Sequence, residues 1–240
     1  MARPRYPKSS GPLPAPLSPL ARTVGQLVAE TLKAYGEHWR AALLIGLPPA
    51  VLSAAATGFS RSQTLTIVPP TGALAATASF VIASAVVSGV SLRSRRIVSA
   101  AIVGVLVYLP FPLLATAFIV PGLAWFALIG LAVPAAVAES LGVRDALRRG
   151  LALGRADYIH ALGGLATLTI LVFVTQIAAS LLLQGSADNS ERTAAFLAGL
   201  VLSPVLFLGA AVLYTDQAAR VGTTRDERLD ARRAEHAAAK

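Results

Sequence analysis

Runs of residues without a single charge alternate with short basic stretches along this chain. The uncharged apolar runs cover residues 41–60, 71–92, 97–138, 159–183 and 193–214. A helix needs about 20 residues to cross the hydrocarbon core of a bilayer. Four of the five runs therefore match one crossing each. The run 97–138 is 42 residues long. As one helix it would measure ~63 Å, about twice the core thickness. Pro121-Gly122 lies near its middle and suits a tight turn, which divides it into spans at about 97–119 and 122–138. The pattern predicts an all-α integral membrane protein, a six-helix bundle. A re-entrant hairpin over 97–138 is the alternative for that run.

Two further segments carry helical periodicity with a polar side. Ser18-Pro19 suits a helix start. Beyond it Leu20, Val24, Leu27, Val28, Leu32 and Tyr35 recur at spacings of three and four, while Arg22, Gln26, Glu30, Lys33 and Glu37 fall largely opposite. In the second segment Val143, Ala146, Leu147, Gly150, Leu151 and Gly154 share a face, with Arg144, Asp145, Arg148, Arg149 and Arg155 mostly on the other. Both read as amphipathic helices lying along the cytoplasmic side of the membrane. For the first, packing on a partner domain is the other reading. These assignments give a disordered, basic, Pro-rich tail over 1–17 with no apolar signal-peptide core, a membrane domain over 18–218, and a charged cytoplasmic tail over 219–240.

Charge fixes the orientation. The chain is 55% hydrophobic and 14% charged, against about 25% charged in soluble domains, and its net charge is +9. With the N-terminus inside and six crossings, 19 of the 21 lysines and arginines fall on the inner side, and only Arg61 and Arg192 outside. One crossing over 97–138 would split them 10 against 11. The positive-inside rule selects six spans and two cytoplasmic termini, in the cell membrane. The basic excess then belongs to loops, and nucleic acid is not an expected partner. Trp39, Tyr158 and Tyr214 fall at inner boundaries and Trp125 near an outer one, as interfacial anchors do. Tyr108 falls mid-span, where its hydroxyl needs a backbone carbonyl freed by Pro110 or Pro112. The chain has no cysteine, which excludes disulfides and thiolate chemistry.

The two amphipathic segments echo each other. At an offset of 119, Val24, Leu32, Ala42 and Leu43 match Val143, Leu151, Ala161 and Leu162, and Trp39 falls on Tyr158. Duplication and convergence on one amphipathic pattern both explain this. Several stretches carry a resemblance. They are "LIGLPPAVL", "VPGLAWFALIGLAVPAAVAE", "GVRDALRRGLAL" and "LYTDQAAR". With the leading amphipathic helix, they resemble the multi-helix membrane domain that precedes the catalytic domain in some bacterial glycerophosphodiester phosphodiesterases. That domain also occurs alone in bacterial membrane proteins. The chain departs from that pattern at Gly150, where serine is usual, and at Gln217-Ala218. About 25 residues follow the last span, so the resemblance implies the membrane domain without the phosphodiesterase.

Candidate chemistry is sparse. The span interiors offer Ser, Thr, Tyr108 and Gln176 but no charged side chain, whereas ion-coupled transport and intramembrane hydrolysis commonly use buried charges. No catalytic residue, metal site or cofactor is expected. His160 with Asp157 and Glu139 is the one conceivable metal-ligand group, and a half-solvated interfacial histidine is the plainer reading. Glu139 closes an otherwise uncharged span, where a helix C-terminus opposes a carboxylate. Arg148, Arg149 or Arg220 could pair with it and pin the loop helix. Arg144, Arg148, Arg149 and Arg155 are expected to face anionic lipid headgroups. Ala195, Gly199 and Ser203 form a small-xxx-small helix-packing stripe. The expectation is a non-catalytic scaffold or accessory subunit. Its basic inner surface would meet anionic lipid or a membrane or cytoplasmic protein partner. A small transporter or permease component, with prolines breaking helices around a path, is the alternative.

Overall fold

The computed structural model describes residue 19 and residues 22–92, 94–110, 114, 119–182 and 190–238. The expected tail over 1–17 lies outside them. Among the described residues the chain is all-helical, 89% helix with no strand. The helices are α1 (Val24–Glu37), α2 (Trp39–Ala56), α3 (Arg61–Ser88), α4 (Ser94–Tyr108), α5 (Ile119–Ile129), α6 (Ala132–Ala138), α7 (Val143–Ala156), α8 (Tyr158–Leu182) and α9 (Ser190–Ala238). Five stretches are long and apolar enough to cross a membrane: Trp39–Ala56, Arg61–Ser88, Val120–Ala138, Tyr158–Ala179 and Arg192–Gly222. The chain is thus a multi-pass membrane protein in length and composition.

Several boundaries differ from the sequence expectation, each for a local reason. Helix α1 starts at Val24 because Thr23 and Gln26 form a capping box, each side chain accepting the other's backbone N–H. Ser60 and Gln63 do the same for α3, which begins ten residues before the expected span. Helix α3 stops where Gly89 takes a left-handed φ of 62°. The span expected at 97–119 appears as the shorter apolar helix Ile97–Tyr108, about 18 Å long, and residues 111–113 and 115–118 beyond it are not described. The expected turn at Pro121-Gly122 is absent. Both residues lie within α5. The break falls later, at Gly130-Leu131 between α5 and α6. Helix α9 runs through 218 without interruption.

Prolines inside helices set the interior packing. A proline has no N–H for the carbonyl four residues earlier, and hydrocarbon offers no water in its place. Pro49 frees the Ile45 carbonyl, and the buried Ser79 hydroxyl of α3 donates to it at 2.6 Å. Gly130 lies in the break between α5 and α6, and the buried Tyr108 hydroxyl donates to its carbonyl at 3.2 Å. Tyr108 therefore bonds a backbone carbonyl, but at that break rather than near Pro110 or Pro112. Pro204 frees the Leu200 carbonyl. A side chain at Gly46 would put its Cβ 2.1 Å from that oxygen, so only a Cα hydrogen fits between them. The other buried hydroxyls, Thr31, Thr77, Ser84 and Ser203, each donate to a carbonyl four residues back in their own helix.

The core lies where α3, α4, α5 and α9 meet. Phe80 stacks on Tyr108 at 4.7 Å between ring centroids and meets Phe126 and Phe207 edge-on. Helix α9 packs most extensively on α2. There Gly199 lies against Ala50, whose Cα would stand 2.7 Å from a Cβ at that position. Ser203 is buried one turn on. The small-residue stripe faces a helix of the same chain. Gly46→Ala should therefore destabilise the protein by about 1–3 kcal/mol through overpacking, seen as a lower melting temperature of the purified protein in detergent. An unchanged melting temperature would mean that α2 and α9 do not approach this closely.

Candidate functional site

Polar side chains gather at one end of the bundle, and most of them meet on one stretch of α9, Tyr214 to Arg220. The local sequence places them. On a helix, residues three or four apart share a side, so Tyr214 and Gln217 point one way and Asp216 and Arg220 another. Each engages a different element.

The Asp216 carboxylate is fully buried and pairs with Arg22, in the extended residues just before α1. Arg22 is itself only 12% exposed. Arg220 binds Asp157 Oδ2 at 2.5 Å. Asp157 occupies the single-residue break between α7 and α8. Its other oxygen accepts the His160 N–H at 3.0 Å and so caps α8. Its backbone carbonyl accepts Gln217 Nε2 at 3.1 Å. Two groups of one residue thus hold the α7–α8 corner to α9, while the third caps α8. One turn earlier, the Tyr214 hydroxyl donates to Glu139 Oε1 at 2.9 Å, and Arg149 Nε donates to the same oxygen at 2.8 Å.

Arg149 is the guanidinium on Glu139. Arg220, the other expected partner, is engaged by Asp157, and Arg148 is exposed. Arg149 was grouped with the headgroup-facing arginines, yet it is turned toward the bundle. Arg144, Arg148 and Arg155 remain exposed.

The apolar faces of α1 and α7 are partly covered by protein, with Leu32 of α1 left 51% exposed. In α7, Gly150 lies against Ala132 and Gly154 against the carbonyls of Ala127 and Leu128. These glycines let α7 sit directly over the α5–α6 break. In α1, Leu27 packs against Gly164 of α8, and the Tyr35 hydroxyl donates to the Val201 carbonyl of α9 at 3.0 Å. At an offset of 119 the bounds of α1 and α7 coincide, as do the breaks at His38 and Asp157. Their packing differs, because α1 lies on α8 and α9 while α7 lies on α5 and α6.

Sequence reasoning missed Arg22, Asp157, Asp216 and Gln217. Tyr214, Asp216 and Arg220 do fall in the "LYTDQAAR" stretch. That spacing was the one signal for them. Among the described residues, three buried polar atoms here have no hydrogen-bond partner: Asp216 Oδ2, Gln217 Oε1 and His160 Nε2. No group of three or more His, Asp or Glu among the described residues is placed to hold a metal ion.

Fold and site define an all-helical, multi-pass membrane protein whose last long helix anchors the other elements at one end. No protein-family model, curated protein or solved structure matches the chain.

Glu139→Gln and Arg149→Ala should each loosen α7. A pair this exposed contributes about 0.2–1 kcal/mol, so amide exchange over residues 141–156 should rise by up to about fivefold. The double variant should add little to either single change, and Arg148→Ala should change nothing. An equal effect from Arg148→Ala would contradict the pairing.

Proposed function

We propose that this is a non-catalytic membrane protein of six spans with both termini in the cytoplasm, a scaffold or accessory subunit whose basic inner face engages anionic lipid headgroups. The observation that carries this reading is the state of α7. Its apolar face is fixed to α5 and α6, and Arg144, Arg148 and Arg155 point away from the bundle. A helix so held presents charge at a constant height, which suits a headgroup layer or an acidic protein surface. Helix α4, with its apolar stretch Ile97–Tyr108, supplies the sixth span in this reading. The cluster on α9 lies at the cytoplasmic end.

The transporter alternative draws on the prolines within the spans. The carbonyls freed by Pro49 and Pro204, and the Gly130 carbonyl at the α5–α6 break, are each met by a neighbouring helix. A substrate path would instead leave such carbonyls facing a cavity. This favours the scaffold.

Two measurements test the reading. Reporter fusions at Arg95, Gly150 and Arg225 should report cytoplasm, and fusions at Gln63 and Asn189 the exterior. An external signal at Gly150 would sink the topology. For the lipid, each surface arginine contributes roughly 1 kcal/mol toward an anionic bilayer. The full-length protein should melt higher in anionic than in zwitterionic nanodiscs, with the difference shrinking in salt and in the triple variant Arg144→Ala/Arg148→Ala/Arg155→Ala. Equal melting in both bilayers would remove the lipid assignment.

A further inference from the structure

Helix α1 touches α9 at two anchor points. Arg22 holds Asp216 at one end, and Tyr35 bonds the Val201 carbonyl at the other. These points are about 22 Å apart along α9 at a rise of ~1.5 Å per residue, close to the length of α1 itself. Helix α1 therefore runs alongside α9, antiparallel to it. The exposure of α9 changes where α1 ends. Leu197 and Val201 are 51% and 46% exposed, whereas Val205, Leu208 and Val212 on the continuing stripe are 8%, 0% and 7% exposed.

The two anchors differ in kind. The Tyr35 bond is a single neutral contact at an exposed position. The Arg22–Asp216 pair is buried, and Asp216 Oδ2 has no partner of its own. Losing one member of such a pair strands the other in low dielectric. Arg22 lies outside the helix it tethers, and α1 is separated from α2 by the single residue His38, whose side chain makes no cap hydrogen bond to α2. The geometry is that of a strap with a hinge at one end and a charged clasp at the other.

We propose that α1 is a releasable strap over the inner half of α9, closed by the Arg22–Asp216 ion pair and opened when Asp216 loses its charge. Only Asp216 can be neutralised by a proton, since a guanidinium stays charged at all accessible pH. The charges acting on Asp216 are Arg22 before α1, Glu30 on α1 and Arg220 on α9. Arg220 is in turn bound to Asp157 and lies near His160, at the α7–α8 corner. Glu30 opposes the charged clasp, while Arg22 and Arg220 favour it. Acidification removes the attraction to Arg22, so α1 hinges away about His38 and lengthens its separation from the charged end of α9.

The absence of cysteine makes the test direct. Nitroxides are placed through Ala29→Cys on α1 and Gly222→Cys on α9, beyond the clasp and far from the hinge, in the full-length protein in liposomes. Electron-electron distance measurements at neutral pH should give one short distance. Lowering the pH to about 4, where carboxylates protonate, should populate a second, longer one. Asp216→Asn should show the longer distance already at neutral pH and should lose the pH response. The exchange Arg22→Asp/Asp216→Arg should restore the single short distance, which also shows that the fold tolerates changes here. His160→Gln should leave the acid response in place. The strap is overturned if Asp216→Asn keeps the single short distance, or if its distances still respond to acid. It is also overturned if His160→Gln abolishes the response in an otherwise unchanged protein.

Discussion

A polar group buried among apolar helices must find its partner inside the protein, because hydrocarbon supplies none. That constraint acts at two heights. In the middle of the bundle it concerns carbonyls without donors at Ile45, Gly130 and Leu200, which Ser79, Tyr108 and Gly46 answer from neighbouring helices. At one end it concerns charge, where the buried Asp216 takes Arg22, while the more exposed Asp157 and Glu139 take Arg220 and Arg149. Each answer comes from a different element, so satisfying the polar groups also fixes which helices are neighbours. The apolar contacts then fill what these choices leave.

Helix α9 is central in both layers. Midway along it, the Pro204 break and Gly199 receive α2. Toward its charged end, one turn and a half of side chains holds the start of α1, the α7–α8 corner and the α6–α7 loop. The same helix thus organises the bundle and carries the cluster that would meet the headgroup layer. Two partnerless carboxylate and amide oxygens on it, Asp216 Oδ2 and Gln217 Oε1, mark this end as the less completely satisfied part of the described interior.

Much of this was legible in the sequence, and the limits have physical causes. Charge-free length finds the spans because hydrocarbon excludes charge over a fixed thickness, so the starts of α2 and α8 fall within two residues of expectation. The α3 start was missed because a capping box outweighs hydropathy at a helix end. The α5–α6 break was missed because Gly130-Leu131 looks apolar and Pro121-Gly122 looks like a turn, although both of the latter lie within α5. Glu139 stood out as a lone carboxylate at a helix end, and its choice of Arg149 over Arg148 depends on how α7 rotates on Ala132 and Leu128. Asp216 was weighed only as part of the "LYTDQAAR" stretch, and Asp157 only beside His160 and Glu139 as a conceivable metal-ligand group. Their partners lie 194 and 63 residues away, a separation that no local pattern records.

The most direct test of the account is a double-mutant cycle on one freed carbonyl. Ser79→Ala leaves the Ile45 oxygen without a donor and should cost about 1–3 kcal/mol while Pro49 is present. Pro49→Ala restores a backbone N–H four residues on, so in that background Ser79→Ala should cost much less. Unfolding of the four proteins in detergent measures both differences. A clear reduction is the predicted result. Strict additivity, with Ser79→Ala equally damaging in both backgrounds, would show that the hydroxyl is not there to answer the proline.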